Sequence, residues 1–187
     1  MYTATAQFAT SVTETKKISA IIPVALRSIS VADKELQRTF FNTLSSQSRF
    51  MRFMGPMGDI PDYLLRNLSN VNADNHFAYM LTIGSGDERI MIGEARLVID
   101  EDNRSKAEFA LALLDEHRGN GLARKLMLLL ETVADQNNIQ QLTGYTLRSN
   151  KAMKKLARRF HYYLRNDARD ARAVIMQKSF LPLAHCA

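Results

Sequence analysis

The sequence predicts a single domain of the α/β or α+β class, in which a central sheet is flanked by helices. The chain has 187 residues, and one domain usually spans about 100–200 residues. Hydrophobic residues make up 46% and charged residues 24%, a composition that is ordinary for globular proteins and excludes disorder of the whole chain. Segments with the two-residue period of strands alternate with segments of helical period, and this alternation indicates the mixed class.

The N-terminal part is predicted to contain a lead-in, one strand and three helices. Residues 1–18 are interpreted as a tail or irregular lead-in, and residues 19–187 as the domain. Ser30 is a suitable N-cap for the first helix. The apolar residues of that helix recur at helical spacing, which gives it one buried face: Leu36, Phe40, Phe41 and Leu44. The other expected elements are a strand at 21–26 and helices at 46–54 and 62–68.

The remaining sequence is dominated by strand patterns that are bounded by turn residues, such as the Gly-Ser-Gly-Asp cluster at 84–87. Strands are expected at 76–83, 89–99, 106–114, 141–147, 161–164 and 173–180. The longest helix is expected at 121–136, with a second at 151–159. One face of the longer helix carries its apolar residues: Leu122, Leu126, Leu129 and Val133.

Charge and cysteine content narrow the functional class. The formal net charge is +6, but residues 148–172 contain nine Lys and Arg against two Asp, so the rest of the chain sums to −1. This distribution argues against a general nucleic-acid coat, and nucleic acid is not an expected partner. The single cysteine, Cys186, excludes an internal disulfide framework and a cysteine-rich zinc site. No metal site, membrane span or secretory signal is predicted, and we expect a cytoplasmic protein.

The segment KAEFALALLDEHRGNGLAR, at 106–124, carries the chemistry. A predicted strand leads through Gly119 and Gly121 into the long helix, and glycines leave backbone amides unobstructed. A helix N-terminus adds unpaired donors and partial positive charge, so this turn has the properties of a pyrophosphate-binding loop. An ordinary strand-to-helix turn would also use glycine, and two glycines alone do not separate these interpretations.

The order of residues does separate them. Arg118-x-x-Gly121-x-Ala123 is similar to the acetyl-CoA loop of the GNAT N-acetyltransferases. The segment AEFALALLDEHRGNGLARKLM and the later LRSNKAMKKLARRF resemble the GNAT domain of bacterial Pat-type protein lysine acetyltransferases, and the resemblance covers about 24–180. It implies a mixed, mostly antiparallel sheet whose middle strands splay apart, with acetyl-CoA as cosubstrate.

The resemblance also implies which residues contact acetyl-CoA. The backbone of Leu113 and Leu114 would bond the pantetheine arm, and Asn150 would lie beside the cosubstrate, although its alternative role is to cap the helix that follows. The loop residues expected to hold the pyrophosphate are Arg118, Gly119, Asn120, Gly121, Leu122, Ala123 and Arg124.

Glu108 is the expected catalytic residue. Strand alternation places it on one face with Ala110 and Ala112, which leave room for a ligand, and about 16 Å of strand separates it from Leu113. It also occupies the position that resembles the Pat-type general base, which would take a proton from the substrate ammonium. The alternative is a surface glutamate paired with Lys106 or Arg104. Glu94, on the neighbouring strand, is the alternative base.

Three positions depart from the family pattern or leave a role open. Ala157 stands where many GNAT enzymes have a tyrosine acid, and Tyr145 is either a substitute for it or a half-buried core residue. His161 replaces a glycine before the next strand, which puts the local turn in doubt.

We therefore expect an N-acetyltransferase that moves an acetyl group to a primary amine by direct attack, the acceptor being a protein lysine or a small amine. The alternatives are a non-catalytic acyl-CoA sensor and a nucleic-acid-binding module. The acidic turn at 100–102 would attract a cationic acceptor or is a solvated hairpin tip. A homodimer is left open, as are the acceptor and the role of the basic residues at 165–172.

Overall fold

The computed structural model describes residues 6–10, 22–72 and 74–180, which form one mixed sheet with helices on both faces. The strands are β1 (Ala6–Thr10), β2 (Ile22–Ser28), β3 (His76–Ile83), β4 (Ile90–Ile99), β5 (Lys106–Leu113), β6 (Gln141–Leu147), β7 (Tyr163–Asn166) and β8 (Ala173–Ser179). Their order in the sheet is β1-β2-β3-β4-β5-β6-β8-β7. Within these residues β5 and β6 run parallel and every other neighbouring pair is antiparallel, which confirms the predicted sheet.

Five α-helices accompany the described strands: α1 (Lys34–Thr43), α2 (Ser46–Phe53), α3 (Asp62–Ser69), α4 (Leu122–Gln136) and α5 (Lys151–Arg159). A capping box between Ser30 and Asp33 precedes α1, because the Ser30 amide donates to the Asp33 carboxylate at 2.8 Å. The apolar face of α4 is buried as predicted, except that Leu130 is fully buried in place of the half-buried Leu129. None of the helices in this part of the chain is long and apolar enough to cross a membrane.

The two faces of the sheet are covered differently. Helix α4 packs over β4 and β5 on one face, and α1 packs over β4 on the other, with α3 against α1. Phe40, Phe41 and Leu65 are completely buried on the α1–α3 side. Beyond β5, helices α1–α3 make one substantial contact with the described strands, between α2 and β6. One half of this sheet face is therefore covered and the other half is open.

The N-terminal lead-in differs from its prediction in one respect. Residues 6–10 form β1, an edge strand that pairs with β2 through Phe8 opposite Val24. The short AQFAT segment carries little strand signal of its own, and its pairing depends on a strand that follows it in the sequence. The other residues of the predicted lead-in that precede 19, like Cys186, lie outside the described residues, and the domain boundary at 19 stays a prediction.

The parallel strands β5 and β6 separate halfway along their length. Their register runs from Lys106 opposite Gln141 to Phe109 opposite Gly144 and then ends, although both strands continue. A side chain at position 144 would place its Cβ 2.5 Å from the Phe109 ring, so glycine allows this ring to lie against the backbone of β6. The predicted splay at the middle strands is confirmed, and it begins at a closely packed pair.

Candidate active site

A cavity of about 600 Å³ lies on the sheet face that α1–α3 only partly cover. Glu108 and Ala110 of β5 line it together with Thr143 and Tyr145 of β6, and Arg52 of α2 borders it. The cavity therefore adjoins the point where β5 and β6 separate.

Glu108 projects into this cavity. Its register partners are Val98 on β4 and Thr143 on β6, and its carboxylate is solvent-exposed. Partial burial raises the pKa of Glu108, and the positive charge of Arg52 opposes that rise only in part. Among the described residues Glu108 has no ion pair, and Arg104, the alternative partner, donates instead to the Asp74 carbonyl at 2.9 Å. The arrangement supplies an accessible carboxylate whose proton affinity is increased.

Glu94 lies on the same sheet face, opposite Ala112, but in a contrasting environment. Its side chain is 0% exposed, and both of its oxygens accept hydrogen bonds from arginines: Arg96 Nε at 2.7 Å and Arg52 Nε at 2.9 Å. Burial alone would raise the pKa of Glu94, but the charges of Arg96 and Arg52 outweigh it and hold the pKa below its ordinary value. The geometry thus favours Glu108 over Glu94 as a proton acceptor.

Arg96 extends this buried network to two helices. Its Nη2 donates to the Gln37 side chain at 2.7 Å, and its Nη1 donates to the Leu68 carbonyl and lies 3.3 Å from His76 Nε2. Sequence reasoning did not identify Arg52 or Arg96. An arginine inside the apolar run of β4 was the available signal, since a buried charge requires a partner.

The glycine loop has the backbone geometry of an anion site. After a short 3-10 turn over Asp115–His117, Gly119 and Gly121 adopt φ values of 84° and 77°, a region that favours glycine. Gly121 is the N-cap of α4 and has no side chain to accept hydrogen bonds from the first turn. Within the described part of the chain no backbone acceptor takes the amides of 119–124, and the helix adds partial positive charge there.

Arg118 braces this loop. Its guanidinium lies 2.7 Å from the Asp115 carboxylate and donates to Ser48 Oγ on α2 at 2.9 Å. Burial would raise the pKa of Asp115, but the Ser48 hydroxyl, the Ser45 amide and the Arg118 charge hold it below its ordinary value. The Arg118 side chain therefore ties the loop to α2, while Arg124 in the first turn of α4 is exposed.

The two leucines predicted to bond the pantetheine arm are not equivalent. The Leu114 amide donates to the Ile92 carbonyl at 2.9 Å and is thus directed toward β4. Because the backbone groups of successive strand residues alternate between the two neighbours, those of Leu111 and Leu113 are directed toward β6, beyond the last paired residue. Of the two predicted positions, Leu113 has its backbone groups in the gap between the splayed strands, where its carbonyl accepts a long hydrogen bond from Arg118 Nη2 at 3.5 Å.

Asn150 caps α5, because its Oδ1 accepts a hydrogen bond from the Met153 amide at 3.0 Å. This is the alternative role, and contact with a ligand remains a prediction. A second cavity of about 350 Å³ separates the start of α4 from α5, with Arg124 on one side and Arg159 on the other. Part of the basic segment therefore lies close to the glycine loop.

The structure accounts for the three positions that depart from the family pattern or leave a role open. Tyr145 is 43% exposed and lines the first cavity, so it is not a core residue. Ala157 is fully buried, so this position of α5 presents no side chain to the first cavity. His161 adopts a φ of 63°, so it takes the left-handed conformation for which glycine is the common residue, and the turn is retained.

The fold and the loop are those of an acyltransferase domain, and comparison with known proteins identifies the family. The family description "Acetyltransferase (GNAT) domain" matches residues 24–162, and the chain belongs to this family. An acetyltransferase from Pseudomonas aeruginosa is 27% identical over 152 residues, which cover 81% of each chain.

Solved structures share the fold. The GNAT domain of S. lividans PAT aligns with a TM-score of 0.81 at 20% identity, over 96% of this chain and 100% of that domain. The PaiA N-acetyltransferase from Thermoplasma acidophilum, solved in complex with coenzyme A, aligns with a TM-score of 0.60 at 18% identity, over 84% of this chain and 99% of that chain. The acetyltransferase Pat from Mycolicibacterium smegmatis is 31% identical over 93 residues, which cover 50% of this chain and 27% of that protein. The family match, this relative and the shared fold together confirm the predicted resemblance to the Pat-type GNAT domain.

Proposed function

We propose that this GNAT family member transfers the acetyl group of acetyl-CoA to a primary amine, either a protein lysine or a small amine. The observation that carries the proposal is the exposed Glu108 carboxylate in a cavity that adjoins the splayed strands. A carboxylate of raised proton affinity beside a groove is the group that an amine acceptor needs, since an ammonium ion with a pKa of about 10.4 has no free electron pair at neutral pH.

The proposed cosubstrate site follows the gap between β5 and β6. The amides of Leu122, Ala123 and Arg124 would bind the pyrophosphate, with Gly119, Asn120 and Gly121 shaping the loop and Arg118 bracing it. The Leu113 amide would bond the pantetheine arm, whereas the Leu114 amide is already occupied. The structural neighbour from Thermoplasma acidophilum was solved in complex with coenzyme A, which supports a coenzyme A site on this fold.

In the proposed reaction Glu108 accepts a proton from the acceptor ammonium, directly or through water. The freed nitrogen attacks the thioester carbonyl carbon, the C–N bond forms, the C–S bond breaks, and the CoA sulfur leaves with the electron pair. The nitrogen then loses its second proton, directly or through water, to the CoA thiolate, which gives a neutral amide and free CoA. No covalent acetyl-enzyme is required, because both substrates can meet in one ternary complex. The lowered proton affinity of Glu94 makes it unsuited to this task.

The test is a thiol-release assay with acetyl-CoA and a panel of polyamines, amino acids, antibiotics and lysine-containing proteins. We expect Glu108→Gln to lower kcat by about 10²- to 10⁴-fold, the usual contribution of a general base, with unchanged acetyl-CoA affinity in calorimetry. Glu88→Gln is the matched control, because Glu88 is an exposed glutamate outside the cavity lining.

Three outcomes would contradict the proposal in distinct ways. Unchanged turnover by Glu108→Gln would remove this residue as the base. Saturable acetyl-CoA binding without release for any acceptor would favour a sensor domain. Salt-dependent DNA binding without acetyl-CoA binding would favour a nucleic-acid-binding module.

A further inference from the structure

The open half of the sheet face places an arginine in the same cavity as Glu108. In the sheet, Glu108 is paired with Thr143, which is paired with Gln177. In the adjacent row, Tyr145 is paired with Ile175, which is paired with Arg165. Residues directly opposite one another on neighbouring strands share a face. Arg165 lies on the edge strand β7, is exposed, and lines the cavity.

The charged residues in and directly behind this cavity carry a net charge of +1. Four basic residues line the cavity: Arg52, Arg96, Lys106 and Arg165. There are three acidic residues, of which Asp100 and Glu108 line the cavity and the buried Glu94 lies behind it. Glu94 bonds both Arg52 and Arg96. One Asp100 oxygen accepts hydrogen bonds from the amides of its own turn.

Two cations of the lining are left without such partners. Neither Lys106 nor Arg165 has a side-chain hydrogen bond or ion pair among the residues that the structure describes. Lys106 is two residues from Glu108 on the same strand face, whereas Arg165 lies across the cavity in the neighbouring row of the sheet. Unpaired cations around a proton-accepting carboxylate favour an anionic group on the molecule that binds there.

We infer that the acceptor amine carries a carboxylate, which Arg165 binds while Glu108 faces the amine. This inference rests on the proposed function and specifies its acceptor class as an aminocarboxylate. Three strand spacings, about 14 Å in all, separate β5 from β7, and both side chains line the same cavity on one face of the sheet. This separation suits an acceptor with several bonds between amine and carboxylate, and the unpaired Lys106 and Arg165 disfavour polyamines.

Arg165 differs in this respect from the other arginines of the basic segment. Arg172 is paired with Asp170 at 2.9 Å, and Arg169 is exposed outside the cavity lining. A guanidinium binds a carboxylate through two parallel hydrogen bonds, which a lysine cannot reproduce. Arg165 is thus assigned to acceptor recognition, which gives one of the basic residues at 165–172 a role.

The test compares acceptors that differ only in the carboxylate, such as Nα-acetyl-lysine and its C-terminal amide, within a panel of such acid and amide pairs. We expect the acid to have the lower KM by about tenfold or more, the scale of one charged hydrogen bond. Arg165→Gln should raise the KM of the acid to that of the amide and leave the KM for acetyl-CoA unchanged. Arg169→Gln is the matched control and should retain the preference.

The outcomes separate this inference from the function on which it rests. Equal kcat/KM for acids and amides, efficient turnover of polyamines, or a preference that survives Arg165→Gln would overturn the inference and leave the acetyltransferase assignment in place. Acetyl-CoA binding without turnover of any amine would overturn both.

Discussion

The covered and open halves of one sheet face use the same residue types in opposite ways. Under α1–α3, Glu94 is bonded to Arg52 and Arg96, and its proton affinity is reduced. Where the helices end, Glu108 and Arg165 line a cavity, and in the described part of the chain neither is paired. The difference lies in the helical cover, because a charge under a helix must be neutralised to be buried, whereas a charge beside a cavity stays available.

The largest effect is expected from Glu94→Gln. Removing one partner of a buried ionic network leaves the arginines uncompensated, and we expect a loss of about 3–5 kcal/mol in the free energy of unfolding. Glu108→Gln, on the exposed side, should change it by less than about 0.5 kcal/mol. Urea denaturation of both variants measures the contrast, and equal losses would show that the two carboxylates are not in different environments.

The same carboxylate makes stability depend on pH. Since the pKa of Glu94 is lower in the folded protein, its contribution is present above the unfolded-state pKa and is lost as the pH falls through the folded-state pKa. Glu94→Gln should therefore flatten the acid side of the stability profile relative to the wild type.

The second-largest loss of stability is expected at the Phe109–Gly144 pair, where β5 and β6 separate. Gly144→Ala would bring a methyl group to within 2.5 Å of the Phe109 ring, and overpacking of this kind costs about 1–3 kcal/mol. Gly58→Ala is the control, since nothing lies within 4 Å of its added Cβ. Thermal unfolding measures both variants, and a neutral Gly144→Ala would mean that the ring can move away.

A smaller effect is expected from Asn150→Ala, because loss of an N-cap costs about 1 kcal/mol. Asn150→Asp keeps the acceptor oxygen and should restore stability. If Asn150 also contacts the cosubstrate, the aspartate variant will show a raised KM for acetyl-CoA at wild-type stability. An unchanged KM would limit Asn150 to its capping role.

The smallest change is a displacement of the pH–rate profile. The raised pKa of Glu108 should move the acid limb of kcat/KM above the ordinary glutamate value of about 4.3, with activity rising as the carboxylate loses its proton. Glu108→Gln should lack this limb. A wild-type limb at or below the ordinary value would contradict the assigned environment.

The local sequence pattern was sufficient to predict most helices and strands and the sheet face on which Glu108 lies, because helical and strand periods are properties of neighbouring residues. It was insufficient where distant segments meet. Strand β1 forms only against β2, and Arg52 reaches Glu94 across 42 positions of the sequence. The sequence left two roles open for Tyr145, because its exposure depends on where α1–α3 end, and the different directions of the Leu113 and Leu114 amides depend on strand register.

The Phe109–Gly144 pair has a consequence for binding thermodynamics. Because the separation of β5 and β6 begins at a buried ring that also packs against Tyr162 at 5.4 Å, the gap is maintained by the hydrophobic core itself. A ligand that inserts there meets backbone donors and acceptors that are already oriented, so little conformational entropy is lost on association. Preorganisation of this kind lowers the free-energy cost of binding, because the folded core already fixes the backbone groups that a ligand would contact.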